Sequence, residues 1–344
     1  MTWSLAGKTI LFFGPQTFGY EVEIAEAMRR NGASVFYRSD KPNQSLLSKV
    51  FGRLVPKLLW LYSDQIFAKW LADLGPNHCD MVLVVKGEGL SPAFIDKLRA
   101  KYPHAIFILY LWDSIRNIRS VEAKIPKFDF AYSFDPIDCQ ANPKLKYRSL
   151  FFLTKFLQRS PVRGNGCFFI GTLNGDRPAV IAKVANAIPS QVGFDYWLFV
   201  RSEIELRCRK IIDKSLASLD NFRLLRRPMT VEMIREKFSL SCAILDIEHP
   251  NQNGLTMRTF EVLASGKKLI TTNSNIGNCD FFDSKRICVI NRDHPILSES
   301  FFNSDPLPLP DSFFEKYSLD GWLKEILGEC RIQTSQGQNA QAHN

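Results

Sequence analysis

Short apolar runs alternate with amphipathic stretches along this chain. Apolar runs with few polar interruptions are typical of strands in parallel sheets, which are buried on both faces. The front half has them at residues 9–13, 34–37, 81–85, 105–111 and 128–133. The back half has them at residues 167–170, 196–200, 241–245, 268–271 and 287–290. We expect each of these runs to form a strand.

Segments with helical spacing lie between the runs. Residues 20–30 carry apolar side chains three or four positions apart, and Asn31-Gly32 is a helix stop signal. Similar patterns predict helices over 91–102, 179–187, 203–214, 256–264 and 313–327, with two or three more in 45–74. Strands that alternate with helices indicate βαβ units and parallel sheets. The fold predicted is α/β, with two doubly wound Rossmann-like domains facing a cleft.

Linker-like composition at residues 158–165 separates the two series. We therefore expect an N-terminal Rossmann-like domain over 1–158 and a C-terminal Rossmann-like domain over 159–312. Residues 313–330 are expected to form a closing helix that packs back across the cleft. The Gln, Asn and Ser-rich residues 331–344 are expected to be disordered.

The composition is that of a globular protein. The chain has 344 residues, of which 45% are hydrophobic and 23% are charged, which excludes a disordered or fibrous protein. Its longest clean apolar run, 106–112, is far shorter than the ~20 residues that span a bilayer. The eight cysteines form no C-x-x-C pair, so we expect reduced thiols and no metal site. These features predict a soluble, cytoplasmic protein.

The positive charge is concentrated in the front half. Residues 1–160 hold 22 Lys and Arg against 14 Asp and Glu, a net +8, whereas 161–344 hold 22 against 21, a net +1. Such a surface fits an anionic glycan, lipid or nucleic-acid partner, or simply aids solubility. The basic, Leu and Trp-rich segment 45–74 is either a peripheral contact with an anionic membrane or a helical insert packed on the core.

The most informative stretch is 243–273, AILDIEHPNQNGLTMRTFEVLASGKKLITTN. A buried strand ends in a polar loop that presents Asn253 and Gly254, and a helix begins after Thr256, a plausible N-cap, with Met257 and Arg258 in its first turn. Backbone N–H groups and the dipole at a helix N-terminus bind anions. The arrangement predicts a phosphate site, and the alternative is an ordinary capped helix with a surface Arg258–Glu261 pair.

This stretch resembles the C-terminal domain of GT-B glycosyltransferases, particularly the bacterial surface-polysaccharide and CgeB-like groups. In many of those, two Glu residues separated by seven others bracket the nucleotide-sugar loop and its helix. Glu261 matches the second Glu, and the first position is Asn253, a departure from the pattern. The resemblance implies that Glu261 binds the nucleotide ribose and that 256–258 meet the donor phosphate.

The beginning of the back half resembles the opening of the same domain. Phe169-Ile170-Gly171 is followed by Asp176-Arg177, so Gly171 and Arg177 join the donor-binding candidates. GT-B enzymes as a group need no bound metal, so the resemblance implies no cofactor beyond the nucleotide sugar as co-substrate.

Two carboxylates follow strands of the front half, Glu88 after 81–85 and Asp113 after 105–111. Sugar transfer needs either a base for the acceptor hydroxyl or a group that stabilises an oxocarbenium-like state. We expect Asp113 and Glu88 to be the catalytic acids, with Lys86 as an electrostatic aid. The alternative for each carboxylate is a helix or loop cap.

These observations favour a glycosyltransferase that moves a sugar from a nucleotide sugar to a surface polysaccharide or lipid-linked glycan. The alternative is a non-catalytic glycan- or nucleotide-binding assembly protein that keeps the GT-B fold. A Rossmann oxidoreductase is disfavoured because 14–19 lacks G-x-G-x-x-G. Nucleic-acid binding rests on charge alone, without a motif.

Overall fold

The structure is a computed structural model that describes residues 3–41, 56–118, 120–158, 164–200, 202–212 and 223–328. The chain divides into two compact units. Unit 1 comprises Met1–Ser149 and Leu319–Asn344, and unit 2 comprises Leu150–Ser318. Each unit contains one parallel six-stranded sheet with helices, so the predicted α/β class with two doubly wound sheets is confirmed.

The sheet of unit 1 has the order β2-β1-β3-β4-β5-β6, and all neighbouring strands are parallel. Its strands are β1 (Thr9–Gly14), β2 (Ser34–Ser39), β3 (Met81–Val85), β4 (Ile106–Leu111), β5 (Phe130–Ser133) and β6 (Leu145–Tyr147). The strand order reverses between β1 and β3. In doubly wound sheets this reversal opens a crevice at the carboxyl edge, where ligands bind.

The helices of unit 1 are α1 (Tyr20–Arg30), α2 (Pro56–Asp73), α3 (Pro92–Lys101) and α4 (Pro136–Ala141), together with a helix at 319–328. The helix α3 begins where Ser91 Oγ accepts a hydrogen bond from the Phe94 amide at 2.9 Å, and Pro92 fits the first helical position. One core cluster packs rings from α2 and α3 on β1: Phe13 lies 5.8 Å from Phe67 and 6.1 Å from Phe94 between centroids.

The sheet of unit 2 has the order β12-β11-β10-β7-β8-β9, again with parallel neighbours. Its strands are β7 (Cys167–Thr172), β8 (Phe194–Phe199), β9 (Arg223–Leu225), β10 (Ala243–Asp246), β11 (Lys268–Thr271) and β12 (Ile287–Val289). This is the Rossmann strand order, and its reversal lies between β7 and β10.

The helices of unit 2 are α5 (Arg177–Ala187), α6 (Glu203–Ile212), α7 (Val231–Leu240), α8 (Met257–Ala264), α9 (Glu299–Asn303) and α10 (Asp311–Tyr317). Its core includes apolar side chains of β7, β8, β10 and β11 together with those of α5. The helix α8 therefore begins at the carboxyl edge of β10, beside the strand-order reversal.

The single helix expected over 313–327 is wrong. It is two helices, α10 in unit 2 and 319–328 in unit 1, separated at Ser318. Ser318 is extended (φ −71°, ψ 159°) and forms a β-bridge with Phe152, whose amide donates to the Tyr317 carbonyl at 2.9 Å. In a continuous helix the Tyr317 carbonyl would accept from the amide four residues further along, whereas here it accepts from the Phe152 amide. In unit 1, Trp322 of the second helix packs on Tyr110, with ring centroids 4.7 Å apart.

Parts of three expectations lie outside the described residues: the front of the helical stretch, 45–55, the middle of the linker, 159–163, and the tail 331–344. No described helix combines the length and apolar character needed to cross a bilayer. The described residues also contain no group of three or more His, Cys, Asp or Glu side chains arranged to hold a metal ion.

Candidate functional site

Asp246 fixes the start of α8 at the end of β10. Its Oδ2 accepts hydrogen bonds from Thr256 Oγ1 at 2.7 Å and from Thr259 Oγ1 at 2.9 Å, and the carboxylate is 6% exposed. Burial raises the pKa of Asp246, although both hydroxyl bonds oppose this rise. Thr256 is the N-cap, as predicted, and its Oγ1 also accepts from the Thr259 amide at 3.4 Å. The helix N-terminus is therefore anchored to the strand by side chains.

Arg258 and Glu261 form an ion pair on α8. Arg258 Nη1 lies 3.0 Å from Glu261 Oε2, and the Glu261 side chain is only 1% exposed. The Arg258 guanidinium also lies over the Phe238 ring, 5.3 Å from its centroid. The pair anticipated by the alternative interpretation therefore exists, but it is desolvated rather than a surface pair. Met257 is the first helical residue and is half-buried.

The loop before α8 is held by asparagines that follow β11. Asn273 Nδ2 donates to the carbonyls of Asn253, at 3.2 Å, and Gly254, at 3.1 Å. Asn275 Nδ2 donates to the Asn253 carbonyl at 3.0 Å. The two candidate loop residues are thus fixed through their main chain, and this contact does not require the carboxylate found at the first position of the family pattern.

Arg177 joins the two strands that flank the strand-order reversal of unit 2. At the beginning of α5, its Nε donates to the Ile247 carbonyl at 3.0 Å and its Nη1 donates to the Thr172 carbonyl at 3.1 Å. Gly171 lies in β7, where a Cβ would come within 2.7 Å of the Phe169 ring. Both residues lie at the carboxyl edge of the sheet. The Nε and Nη1 groups of Arg177, however, already donate to backbone carbonyls.

Sequence reasoning missed a charged network at the same edge. Arg292 Nη1 donates to both carboxylate oxygens of Asp176, at 2.9 and 2.8 Å, and its Nη2 donates to Glu248 Oε1 at 2.8 Å. Thr272 Oγ1 also donates to the buried Glu248. Asp246 and Glu248 directly follow a buried strand, a signal that could have identified them; Arg292 has none, because it lies 116 residues from Asp176.

In unit 1, Lys86 brings the two candidate carboxylates together. Its Nζ lies 2.9 Å from Asp113 Oδ2 and 3.6 Å from Glu88 Oε2, and Lys41 Nζ lies 2.7 Å from the same Glu88 oxygen. Asn117 Nδ2 donates to Asp113 Oδ1 at 3.1 Å. Burial alone would raise the pKa of Glu88, but the two ammonium groups lower it below its ordinary value. The cluster therefore offers charged groups and the neutral Asn117 amide, and groups of both kinds can form hydrogen bonds with hydroxyls.

Two buried residues beside this cluster, Asp40 and Lys124, were also missed. Asp40 Oδ2 accepts from the Glu88 amide at 3.1 Å, and Lys124 Nζ donates to the Gly87 carbonyl at 2.7 Å. Burial raises the pKa of Asp40 to about 6 and lowers that of Lys124 to about 8. Neither residue belongs to a sequence motif, so only the tertiary structure identifies them.

No protein-family model matches this sequence, and no curated protein sequence matches it. Solved structures do match. The α,α-trehalose-phosphate synthase (UDP-forming) of Burkholderia vietnamiensis has a TM-score of 0.63 at 12% identity, over 97% of this chain and 99% of its own.

Two further structures match over a similar share of this chain. Anabaena HepE in complex with UDP and glucose has a TM-score of 0.59 at 11% identity, over 94% of this chain and 100% of its own. AviGT4, a glycosyltransferase involved in avilamycin A biosynthesis, has a TM-score of 0.57 at 11% identity, over 95% and 98%. At these identities the similarity concerns the fold alone. The chain therefore has the GT-B fold of these glycosyltransferase structures.

Proposed function

We propose that the chain is a nucleotide-sugar-dependent glycosyltransferase of bacterial surface-polysaccharide assembly, with the donor held by unit 2 and a glycan or lipid-linked acceptor by unit 1. The observation that carries this proposal is the carboxyl edge of unit 2, where the anchored start of α8 carries the desolvated Arg258–Glu261 pair. The similar fold of HepE, solved with UDP-glucose, supports the nucleotide assignment.

The donor site needs a partner for a ribose diol and another for a diphosphate. A carboxylate can accept two hydroxyl hydrogen bonds, and we propose, with the family resemblance, that Glu261 takes the ribose. The helix N-terminus offers N–H groups and a positive dipole, and Arg258 adds a guanidinium whose planar fork suits phosphate. Asn253, Gly254, Gly171 and Arg177 complete the proposed site through the loop and strand ends described above.

In the transfer, the acceptor hydroxyl oxygen attacks the anomeric carbon and the bond from that carbon to the phosphate oxygen breaks. The nucleoside diphosphate leaves with the bonding electrons, and the hydroxyl proton passes to a base. Glu88 and Asp113 are the candidate bases in unit 1. Lys86 contacts both carboxylates and balances the charge as the proton moves.

A panel of nucleotide sugars tests the donor assignment. Uridine diphosphate sugars are tried first, and binding is read as a rise in melting temperature and then by isothermal titration. A ligand at 100 times its Kd stabilises the folded state by about 2.7 kcal/mol. We expect one donor class to raise the melting temperature of the protein and of Glu299→Gln, an exposed control on α9, but not of Glu261→Gln. If no donor binds, or if Glu261→Gln binds as the control does, the proposal is wrong.

One observation favours the alternative, a nucleotide- or glycan-binding assembly protein without catalysis. Glu88, one of the two candidate bases, contacts the ammonium groups of Lys41 and Lys86; although burial alone would raise its pKa, these contacts lower it, which disfavours proton uptake by Glu88. Release of nucleoside diphosphate from the bound donor separates the two functions. Slow release, accelerated by a glycan acceptor mixture, supports the transferase, whereas tight binding with no release supports the assembly protein.

A further inference from the structure

We propose that Asp40 and Lys124 are positioning residues that hold residues 86–89, named here the Lys86 turn, in the geometry that the transfer requires. The catalytic part of this inference rests on the proposed function. The geometric part stands alone, because it concerns how two buried charged side chains hold one stretch of backbone.

The Lys86 turn has an unfavourable backbone. Lys86 and Gly87 are both left-handed, with φ of 65° and 64°. A non-glycine residue is strained in this region, so the surrounding contacts must hold it there. The Lys86 amide donates to the Tyr110 carbonyl of β4 at 2.9 Å, which fixes one side of the turn.

Lys124 holds the turn through its carbonyl groups. It is 1% exposed, and its Nζ donates to the carbonyls of Gly87, at 2.7 Å, and Glu88, at 3.3 Å, while lying 5.3 Å from the centroid of the Trp60 ring. Burial of an ammonium group carries a large desolvation free energy, and hydrogen bonds to carbonyl groups offset less of it than a contact with a carboxylate would. An apolar side chain at position 124 would be buried without this desolvation free energy.

Asp40 holds the turn through the backbone amide of Glu88. The carboxylate is fully buried and accepts from the Glu88 amide at 3.1 Å, and the Asp40 amide donates to the Gly14 carbonyl of β1 at 3.1 Å. A Cβ at residue 89 would lie 1.9 Å from the Asp40 carbonyl oxygen, so only glycine fits there. The end of β2 therefore packs directly on the turn.

The held turn sets the direction of the polar side chains above it. It sends Lys86 Nζ to Asp113, at 2.9 Å, and Glu88 to Lys41, at 2.7 Å. A change of the turn by 1 Å would separate these pairs, and misplacement of this size in an active site can reduce turnover 100-fold. We infer that Asp40 and Lys124 act on catalysis through Lys86 and Glu88 and do not touch substrate.

Lys124→Met and Asp40→Ala test the inference. Lys127→Met is the matched control, at the end of the short 3-10 helix Ile125–Lys127 whose N-cap is Lys124. We expect turnover of the donor to fall at least tenfold in both test variants, with unchanged donor affinity and KM and with melting temperatures no lower than that of the control. Asp40→Asn keeps an acceptor for the Glu88 amide and should retain most of the turnover. A purely structural role would instead lower the melting temperature and leave turnover per folded molecule unchanged.

A second readout does not depend on activity. Burial opposes the charged form of Lys86, but Asp113, Glu88 and Asp40 together raise its pKa. In the protein with ¹³C-methylated lysines, the Lys86 resonance, assigned with Lys86→Arg, should titrate at lower pH in Lys124→Met than in the control, and at lower pH in Asp40→Ala than in Asp40→Asn, which removes the same charge.

An unchanged Lys86 titration in both test variants would overturn the inference. If Lys124→Met fails to fold, the Asp40 variants decide. If the wild type turns over no donor but the Lys86 titration moves as expected, the proposed function fails and the positioning of the turn stands.

Discussion

Arg258 Nη1 lies 3.0 Å from Glu261 Oε2 in a pair whose carboxylate is 1% exposed. Two desolvated charges compensate each other in this arrangement, and neither is well accommodated without its partner. The pair therefore serves the fold as well as the proposed donor site. Substitutions of its two members should differ in effect, because Glu261 is 1% exposed and Arg258 is 20% exposed.

Replacement of Arg258 by Met should destabilise unit 2, because it removes the guanidinium that pairs with the buried Glu261 carboxylate. Loss of one member of a buried pair costs about 3–5 kcal/mol, and we expect about 2–3 kcal/mol here because the Arg258 side chain is 20% exposed. Urea unfolding measures the difference. Arg235→Met, at an exposed position on α7, is the control and should change the free energy of unfolding by less than about 0.5 kcal/mol. Equal effects of the two substitutions would contradict the ion pair.

Thr256→Ala should destabilise the protein by about 2 kcal/mol. It removes an N-cap, worth about 1 kcal/mol, and a hydrogen bond to the Asp246 carboxylate at 2.7 Å. Thr256→Ser keeps the hydroxyl and should stay within about 0.5 kcal/mol of the wild type. Because Thr256 and Asp246 contact each other, Thr256→Ala should cost less in an Asp246→Asn background. Additive effects in that double-mutant cycle would show that the contact is absent.

The stability of Asp40→Asn relative to the wild type should depend on pH. Burial raises the folded-state pKa of Asp40 from 3.8 to about 6, so the folded state retains its proton while the unfolded state loses it. The contribution of Asp40 to stability is fully present below pH 3.8 and is lost as the pH rises through about 6. The difference in unfolding free energy, variant minus wild type, should thus rise by about 2 kcal/mol between pH 4 and pH 7.

Urea unfolding at each pH measures this difference. Asp73→Asn, at the exposed end of α2, removes a carboxylate from the same unit and should show no such rise. A flat difference curve for Asp40→Asn would mean that the carboxylate is not desolvated as described.

Gly89→Ala should displace the Lys86 turn. The added Cβ would lie 1.9 Å from the Asp40 carbonyl oxygen, a backbone atom that cannot rotate away. We expect at least about 2 kcal/mol of destabilisation together with loss of turnover. Gly7→Ala is the control for an added methyl group: its Cβ would meet no atom within 4 Å, so any destabilisation there comes from the positive φ of Gly7, 71°, which Gly89 does not share. If Gly89→Ala costs no more than Gly7→Ala, the close packing of β2 on the turn is refuted.

Local signals explain why much of the fold was predictable. The bounds of α1 match the prediction residue for residue, because the apolar spacing, Asn31 and Gly32 all lie within one short segment. The strands β3 and β11 also match: β3 is buried and apolar throughout, and the buried β11 carries Leu269 and Ile270 at its centre. By contrast, β6 and β9 are three-residue edge strands with exposed side chains, and α7 buries only Phe238, so their patterns are too weak to detect.

The candidate sites were predictable only in part, because their chemistry depends on distant partners. The loop, cap and helix around Thr256 are contiguous and were identified. Arg258, the partner of Glu261, packs on Phe238 of α7, a helix that the sequence pattern did not show. Lys124 lies 37 residues from Gly87, and no local spacing links them.

Titration of the wild type, Glu261→Gln and Glu88→Gln with the nucleoside diphosphate of the identified donor tests the central claim most directly. That claim assigns the nucleotide to unit 2 and the transfer groups to unit 1. It predicts that the wild type and Glu88→Gln bind with the same affinity within twofold, whereas Glu261→Gln binds at least tenfold more weakly. Equal affinity in all three proteins, or a loss confined to Glu88→Gln, would contradict it.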